Sequence, residues 1–430
     1  MSVASSDHLP TRVPVPYDGS IAAAQEENSP ELGHATGPRL TLAAALTCIV
    51  LVAIDLRPAI VSIGPLLPSI RDEFAISNAL ASLLTAIPAL LMGLFAFPTP
   101  WLARRFGRDA VMLAALSLLA GSIVARAFAF DIASLFLTTA GVGVGIAVAG
   151  ALISGFIKKN YPDRVALFTG IYASSIGLGS TIAAMLTGPL ASATGGWRLS
   201  AGVFVVPAII AVAAWLVVAH AERTTAKFRP GAPLPQPGSP LPVKAGAAWL
   251  AALYFSLNNI LFFGVIAWLA PMFIEYGMKA TDAAFLLASF TAAFMIANTL
   301  AGIASRSRDR RVVIGLFAGV SVIGILSLAI APTIAPFAVV PAIAFGIGGS
   351  FTLGMVLPLD HASHANEANS WAAFVLGIGY AAGALGPVFL GLARDVTSGF
   401  VVPVWILVAV AVLKLAIVPV LRPAARSTEV

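Results

Sequence analysis

The sequence predicts an all-α integral membrane protein in which twelve transmembrane helices form two repeats of six. The first observation is composition: of 430 residues, 59% are hydrophobic and 10% are charged, whereas a soluble globular protein carries about 25% charge. The second is length, because the apolar runs reach the roughly 20 residues that a helix needs to cross a bilayer. The third is continuity, since a transmembrane barrel would show alternation instead.

Twelve apolar runs follow one another between two polar ends of the chain. Residues 1–39 lack the basic segment and the cleavage site of a secretory signal, so we expect a disordered cytosolic tail there. Residues 422–430 are expected to form a second cytosolic tail. The predicted spans are 40–68, 78–99, 109–129, 131–157, 165–190, 198–219, 247–274, 281–304, 311–331, 335–358, 369–393 and 400–421.

Basic residues predict how the chain is oriented. With both termini in the cytoplasm, 18 Lys and Arg residues fall on the cytoplasmic side and 5 on the opposite side. Cytoplasmic loops carry such an excess of positive charge, so we expect a multi-pass protein of the cell inner (plasma) membrane. Arg57 and Lys414 lie within spans, and we expect the amine of Lys414 to reach the nearby cytosolic membrane surface.

A Pro-rich segment divides the spans six and six. It lies in a predicted cytosolic linker, 220–246, which separates an N-terminal half, 40–219, from a C-terminal half, 247–421. Two short sequence patterns each occur once in either half, and the distances between the two occurrences are similar. The basic loop 104–109 recurs at 306–311, an offset of 202, and a pair of glycines nine residues apart recurs in the fifth and eleventh spans, an offset of 198. Both repeated patterns indicate that the two halves arose by duplication.

Two charged residues lie deep within the first span. A charge at the bilayer centre costs about 2.5–3.5 kcal/mol on insertion scales, so such residues mark functional sites or partners. Arg57 offers a planar fork suited to carboxylate-like anions, although it could instead pair with Asp55 or a carbonyl group. Asp55 is a candidate proton-coupling site or a charged partner for Arg57. Residues two apart on a helix point in different directions, so direct pairing needs the distortion that Pro58 favours.

Polar and aromatic residues in other spans are further candidates for substrate contact. Asn259 lies 202 residues after Arg57, so the repeat places these two residues at equivalent positions. Packing or interfacial placement is the alternative for each candidate. The substrate-binding candidates are Arg57, Asn258, Asn259, Tyr172, Trp268 and Tyr380.

Several classes of protein fit the sequence poorly. All five histidines lie outside the spans and Cys48 is the single cysteine, so an intramembrane enzyme would lack a reactive cluster, and we expect neither a metal site nor a cofactor. The repeated filter loops or charge rings of a channel are not visible. The basic residues occupy short loops, so we expect no nucleic-acid partner. A secondary transporter that works by alternating access, as a monomer in the lipid bilayer, remains.

The loop after the second span resembles the signature of the major facilitator superfamily, Gly-x-x-x-Asp-Arg-x-Gly-Arg-Lys. Arg105, Gly107 and Arg108 match this signature. The resemblance implies the major facilitator fold, with parallel six-span halves around a central site, and a conformational-switch role for these three residues. The loop departs from the signature at Pro100, Arg104 and Asp109.

Other stretches, spread over nearly all the spans, resemble the cyanate/2-nitroimidazole permease (CynX/NimT) family. This resemblance implies transport of a small solute, an anion or a polar heterocycle, with proton-coupled uptake (symport) as one mode. Proton-driven drug or metabolite efflux is the alternative. The matching stretches are Leu56-Arg57-Pro58-Ala59 with Ser62 to Pro68, Gly145 to Val148, Trp268-Leu269-Ala270-Pro271, and Gly379-Tyr380 through Gly386-Pro387.

Overall fold

The computed structural model describes residues 42–160, 165–226, 240–304, 309–361 and 365–421. In this part of the chain, twelve helical segments are long and apolar enough to cross a membrane, which confirms the predicted span number and the all-α fold class. The helices are Leu42–Asp55, Pro58–Val61 and Ile63–Phe74 in span 1; Asn78–Phe95 in span 2; Arg108–Ala127 in span 3; Ile132–Asn160 in span 4; Val165–Thr194 in span 5; Trp197–Gly202 and Val205–Ala226 in span 6; Gly246–Glu275 in span 7; Ala280–Ala304 in span 8; Arg311–Ile330 in span 9; Pro336–Asp360 in span 10; Ala365–Gly383 and Leu385–Thr397 in span 11; and Val401–Ala416 in span 12, while Thr99–Phe106 connects spans 2 and 3.

The ends of the spans lie within about five residues of the predicted ones, apart from two larger differences. Span 6 continues to Ala226, into the predicted linker. Span 1 continues to Phe74, beyond its predicted end at residue 68, because its last turns carry the charges of Arg71 and Asp72 and so end the apolar run without ending the helix. Three predicted segments lie outside the described residues, namely the tails 1–39 and 422–430 and residues 227–239 of the linker.

Span 1 is interrupted where the two charged residues lie. Leu56 and Arg57 are not helical, and a new helix begins at Pro58. Proline has no backbone N–H, so the carbonyl group of Ile54 loses its usual partner. Span 5 approaches this carbonyl group so closely that a Cβ atom on Gly179 would overlap its oxygen. The predicted distortion is therefore present, and a glycine on span 5 allows the backbones to meet there.

The two halves contact each other through spans 2 and 11, spans 5 and 8, and spans 1 and 7. Glycines permit the close approach. A Cβ atom on Gly93 would lie 2.5 Å from the Gly377 carbonyl oxygen, and one on Gly64 would lie 2.6 Å from the Ile266 carbonyl oxygen. Small residues serve this purpose in membrane helix packing.

The halves also meet at the end of the bundle away from the chain termini. Gly64 packs on span 7 there, and a Cβ atom on Gly188 of span 5 would lie 2.8 Å from that of Ala284 in span 8. Spans 4 and 10 differ from spans 1, 5, 7 and 8, because their extensive contacts are with spans of their own half. The bundle is therefore closed at this end, which is called the distal end below.

Candidate solute-binding site

Arg57 lies in the interruption of span 1, facing the other half of the molecule. Its side chain is buried, and its guanidinium carbon lies 5.8 Å from the ring centres of both Phe262 and Phe263 in span 7. Such cation–π contacts stabilise the charge. Its Nη1 atom is buried without a hydrogen-bond partner among the described residues. The guanidinium of Arg57 is therefore positioned by two aromatic rings and keeps a hydrogen-bond donor, Nη1, without a partner among the described residues.

Two tyrosines, one from each half, surround this cation. Tyr172 of span 5 and Tyr380 of span 11 both interact electrostatically with Arg57 and with each other. Tyr380 packs edge-on against Phe255 and Phe263, with ring centres 5.7 and 6.3 Å apart. Both tyrosines are partly buried. Three of the predicted substrate-binding residues thus come together at the interface between the halves.

The two predicted asparagines of span 7 are fully buried and bond to protein groups. Asn258 Oδ1 accepts a hydrogen bond from Lys414 Nζ at 3.1 Å, and its Nδ2 donates to the Ile347 carbonyl oxygen at 3.2 Å. Asn259 Nδ2 donates to the Phe255 carbonyl oxygen of its own helix at 2.9 Å. Asn259 Oδ1 is the exception, because it has no partner among the described residues.

Lys414 does not reach the membrane surface, so that expectation was wrong. Its side chain is fully buried, and its amine also bonds to Ser350 Oγ at 3.3 Å. The partners lie on spans 7 and 10, whereas Lys414 lies on span 12. Their polar atoms supply the hydrogen bonds that a surface would otherwise provide, and they link three spans of the C-terminal half.

Trp268 ties span 7 to span 11. Its indole N–H donates to the Pro387 carbonyl oxygen at 2.9 Å, and its ring centre lies 5.9 Å from that of Phe400. A Cβ atom on Gly391 would lie 2.9 Å from the indole. The polar atom of this predicted substrate-binding residue is therefore used within the protein.

Asp55 is buried beside the same interruption of span 1. Neither carboxylate oxygen has a hydrogen-bond partner among the described residues. Arg57 forms no ion pair with it there, although the helix is distorted as that alternative required. A proton is the smallest ligand that balances such a charge in an apolar interior.

Arg126 is a buried charged residue that the sequence reasoning missed. It was counted among the five basic residues on the side opposite the termini, but it is only 2% exposed, and its Nη1 atom donates to the Ala59 carbonyl oxygen of span 1 at 2.8 Å. Its Nε and Nη2 atoms have no partner in the described part of the chain. The available signal was its position inside the last turn of an apolar helix rather than after it.

The predicted conformational-switch loop turns sharply between two helices. Gly107 has φ +85°, a conformation that glycine adopts without strain. The guanidinium of Arg108 lies 5.0 Å from the ring centre of Phe156 and 5.8 Å from that of Trp215, and that of Arg105 lies over the ring of the following residue. Arg108 therefore fastens this loop to spans 4 and 6 of its own half.

The central arrangement suits binding rather than covalent chemistry. It offers a cation, two phenol hydroxyls and aromatic faces, and groups of these kinds can bind a small polar or anionic molecule. Among the described residues, no group of three His, Cys, Asp or Glu side chains is placed to hold a metal ion.

Comparison with known families identifies the fold. The family model described as Major Facilitator Superfamily matches residues 43–387, which is most of the chain. The chain belongs to the Major Facilitator Superfamily. The resemblance inferred from the basic loop is therefore confirmed, and the two packed halves are those of a facilitator.

Individual relatives of this facilitator are also transporters. The chain is 28% identical to the cyanate transport protein CynX of Escherichia coli (strain K12), over 87% of this chain and 95% of that protein. It is 28% identical to the 2-nitroimidazole transporter of the same strain, over 85% and 91%. A solved bacterial homolog of the human lysosomal transporter Spinster, inward-facing and unoccupied, shares the fold with a TM-score of 0.70 at 17% identity, over 88% and 96%. The facilitator is thus a membrane transporter and not an enzyme.

Proposed function

We propose that this facilitator moves a small anion or a polar heterocycle, and that Arg57 anchors the solute. The observation that carries the proposal is the buried guanidinium between Phe262 and Phe263, which keeps an unused donor. Arginine binds planar anions through paired hydrogen bonds. The names of the two relatives, which specify cyanate and 2-nitroimidazole, describe small solutes of this kind.

Solute bound at Arg57 would touch both halves. Tyr172 belongs to the N-terminal half and Tyr380 to the C-terminal half, and both interact with Arg57. In facilitators the two halves rock around a fixed site near the bilayer midplane. A solute held between these hydroxyls would therefore be passed from one side to the other as the halves tilt.

Orientation follows from charge. Both termini are placed in the cytoplasm of a cell inner (plasma) membrane, because 18 of the basic residues then lie on the cytoplasmic side. The closed distal end would then face outward, so solute would neither enter nor leave on the outer side in this conformation.

We also infer that a proton travels with the solute and binds at Asp55. The support is a buried carboxylate whose two oxygens have no partner among the described residues. One proton on Asp55 balances the charge of one monovalent anion on Arg57, so the loaded site gains no net charge as the halves rock. Uptake would then follow an inward proton gradient.

Solute binding is tested with the purified protein by thermal shift in cyanate and in 2-nitroimidazole. Ligand raises the unfolding midpoint of wild type by mass action. Arg57→Lys keeps the charge but loses the fork, so we expect at least a tenfold loss of apparent affinity. Lys414→Met is the matched control, since it removes another buried cation whose partners are protein groups. Equal ligand shifts in all three proteins would refute the anchor.

Proton coupling is tested in proteoliposomes with radiolabelled cyanate. An inward proton gradient should drive accumulation in wild type, and Asp55→Asn should abolish accumulation while retaining exchange of labelled for unlabelled solute. Loss of solute against the gradient would favour the alternative of proton-driven efflux. Accumulation that is unchanged in Asp55→Asn would remove this residue from the mechanism.

A further inference from the structure

A carboxylate joins the two halves at the distal end. Asp395, in the last turn of span 11, accepts hydrogen bonds at Oδ1 from the backbone N–H of Asn78 at 3.0 Å and from Asn78 Nδ2 at 2.8 Å. Its Oδ2 accepts from the backbone N–H of Ala79 at 2.7 Å. Asn78 and Ala79 begin span 2, where backbone N–H groups have no partner within their own helix.

These bonds connect elements that belong to different halves. Span 2 lies in the N-terminal half and span 11 in the C-terminal half. The backbones also touch, since a Cβ atom on Gly391 would lie 2.7 Å from the Asn78 carbonyl oxygen. Asn78 Oδ1 in turn accepts from Arg71 Nη1 of span 1 at 3.1 Å. Three spans therefore converge on one carboxylate.

Span 5, which meets the start of span 8 on the other side of the distal end, carries no Asp or Glu side chain. Gly188 approaches the start of span 8 as Gly391 approaches the start of span 2. Four residues after Gly391 stands Asp395, whereas four residues after Gly188 stands Ser192. Close packing is thus common to both sides of the distal end, and the charged link occurs on one.

We propose that Asp395 is a one-sided latch that holds the distal end closed and must release for the solute site to open there. A carboxylate at a helix N-terminus is favoured by the helix dipole and by charge-assisted hydrogen bonds. Separation of spans 2 and 11 breaks all three hydrogen bonds at once. On the opposite side of the distal end, separation of spans 5 and 8 loses packing contacts. The latch concerns the conformational equilibrium and is independent of which solute is carried.

A neighbouring ion pair provides the control. Arg394 Nη2 lies 2.7 Å from Glu275 Oε2, at the same end of the molecule but within the C-terminal half. Glu275→Gln therefore removes a comparable charge without removing a link between the halves.

The latch is tested by pulsed electron–electron spin resonance on the whole protein, without solute. Nitroxide labels are placed on Phe130→Cys and Ile334→Cys, which lie in exposed distal loops of the two halves, after Cys48→Ala. We expect Asp395→Ala to raise the ratio of the long-distance to the short-distance population at least tenfold. Glu275→Gln should change that ratio less than twofold.

A charge exchange guards against simple misfolding. Asn78→Asp places two carboxylates together and should open the distal end, and adding Asp395→Asn should restore the short distance, because the amide can again bond to a carboxylate. An unchanged distance distribution in both Asp395→Ala and Asn78→Asp would overturn the proposal, as would an equal change in Glu275→Gln.

Discussion

The hydrogen bond between Lys414 and Asn258 should be visible as an energetic coupling between spans 12 and 7. We consider two substitutions, Lys414→Met and Asn258→Leu, which remove the amine and the amide while keeping side chains of similar size. Lys414 Nζ lies 3.1 Å from Asn258 Oδ1, and both residues are fully buried. Because both side chains are shielded from bulk solvent, the loss of one partner leaves the polar group of the other unsatisfied.

The expected size follows from the bonds that each change breaks. Asn258→Leu in wild type removes a bond to a charged group, about 1.5–3 kcal/mol, and the bond to the Ile347 carbonyl oxygen, about 0.5–1.5 kcal/mol. In the Lys414→Met background only the second bond remains to be lost. The coupling free energy of the double-mutant cycle should therefore be about 1.5–3 kcal/mol.

Reversible unfolding in mixed micelles of sodium dodecyl sulfate and dodecyl maltoside, followed by tryptophan fluorescence, measures the four free energies. Arg198→Met, which breaks a distal ion pair with Glu73 within the N-terminal half, should be additive with Asn258→Leu. If Lys414→Met and Asn258→Leu were additive as well, the two side chains would not be bonded. The amine would then reach the surface, as the sequence alone predicts.

Three further outcomes are expected. Gly179→Ala should destabilise the protein by about 1–3 kcal/mol through overpacking, whereas Gly121→Ala, where a Cβ atom would meet open space, should be neutral or stabilising in the same unfolding assay. Trp268→Phe should lower stability by about 0.5–1.5 kcal/mol, because a bond to span 11 is lost, but leave the apparent affinity for cyanate within twofold of wild type. Hydrogen bonds from Arg311 hold the pKa of Asp309 at about 2, below its ordinary value. The Asp309 carboxylate therefore stabilises the fold above about pH 4, and this contribution is lost as the pH falls through about 2. The difference in unfolding midpoint between wild type and Asp309→Asn should therefore shrink over that range, and a constant difference would exclude the link.

The spans were predictable because each is recorded locally. A run of about 20 apolar residues is sufficient to recognise a crossing helix, and Pro58 alone was enough to place the interruption of span 1. The helix end at Phe74 was missed for a local reason too, since hydropathy ends at the membrane surface although the helix does not have to.

The surroundings of the buried charges were not predictable. The side chain of Lys414 lies inside the bundle because it bonds to Ser350 and Asn258 on other spans, which are 64 and 156 residues away in the sequence. Arg126 likewise finds the Ala59 carbonyl group on another span. The sequence of a single helix does not show which neighbour faces it, so both charged groups were expected at the membrane surface.

The sequence predicted the individual residues of the candidate site but not that they lie next to one another. Arg57, Tyr172 and Tyr380 were each recognisable as polar or aromatic residues inside spans, and the structure adds that they meet. Their meeting depends on how the two halves are docked, which is a property of the whole bundle. The same applies to Trp268, whose polar atom was assigned to solute and is used by Pro387.

The division of the site between the halves bears on how the empty and loaded carriers move. Arg57 and Tyr172 belong to one half and Tyr380 to the other, so a solute bound at the proposed site would crosslink the halves, whereas an empty site would not. The loaded carrier would then pass through its occluded state faster than the empty one, whose return would limit turnover. Such a molecule exchanges solute across the membrane more rapidly than it accumulates it, and the concentration of solute on the far side would set its working speed.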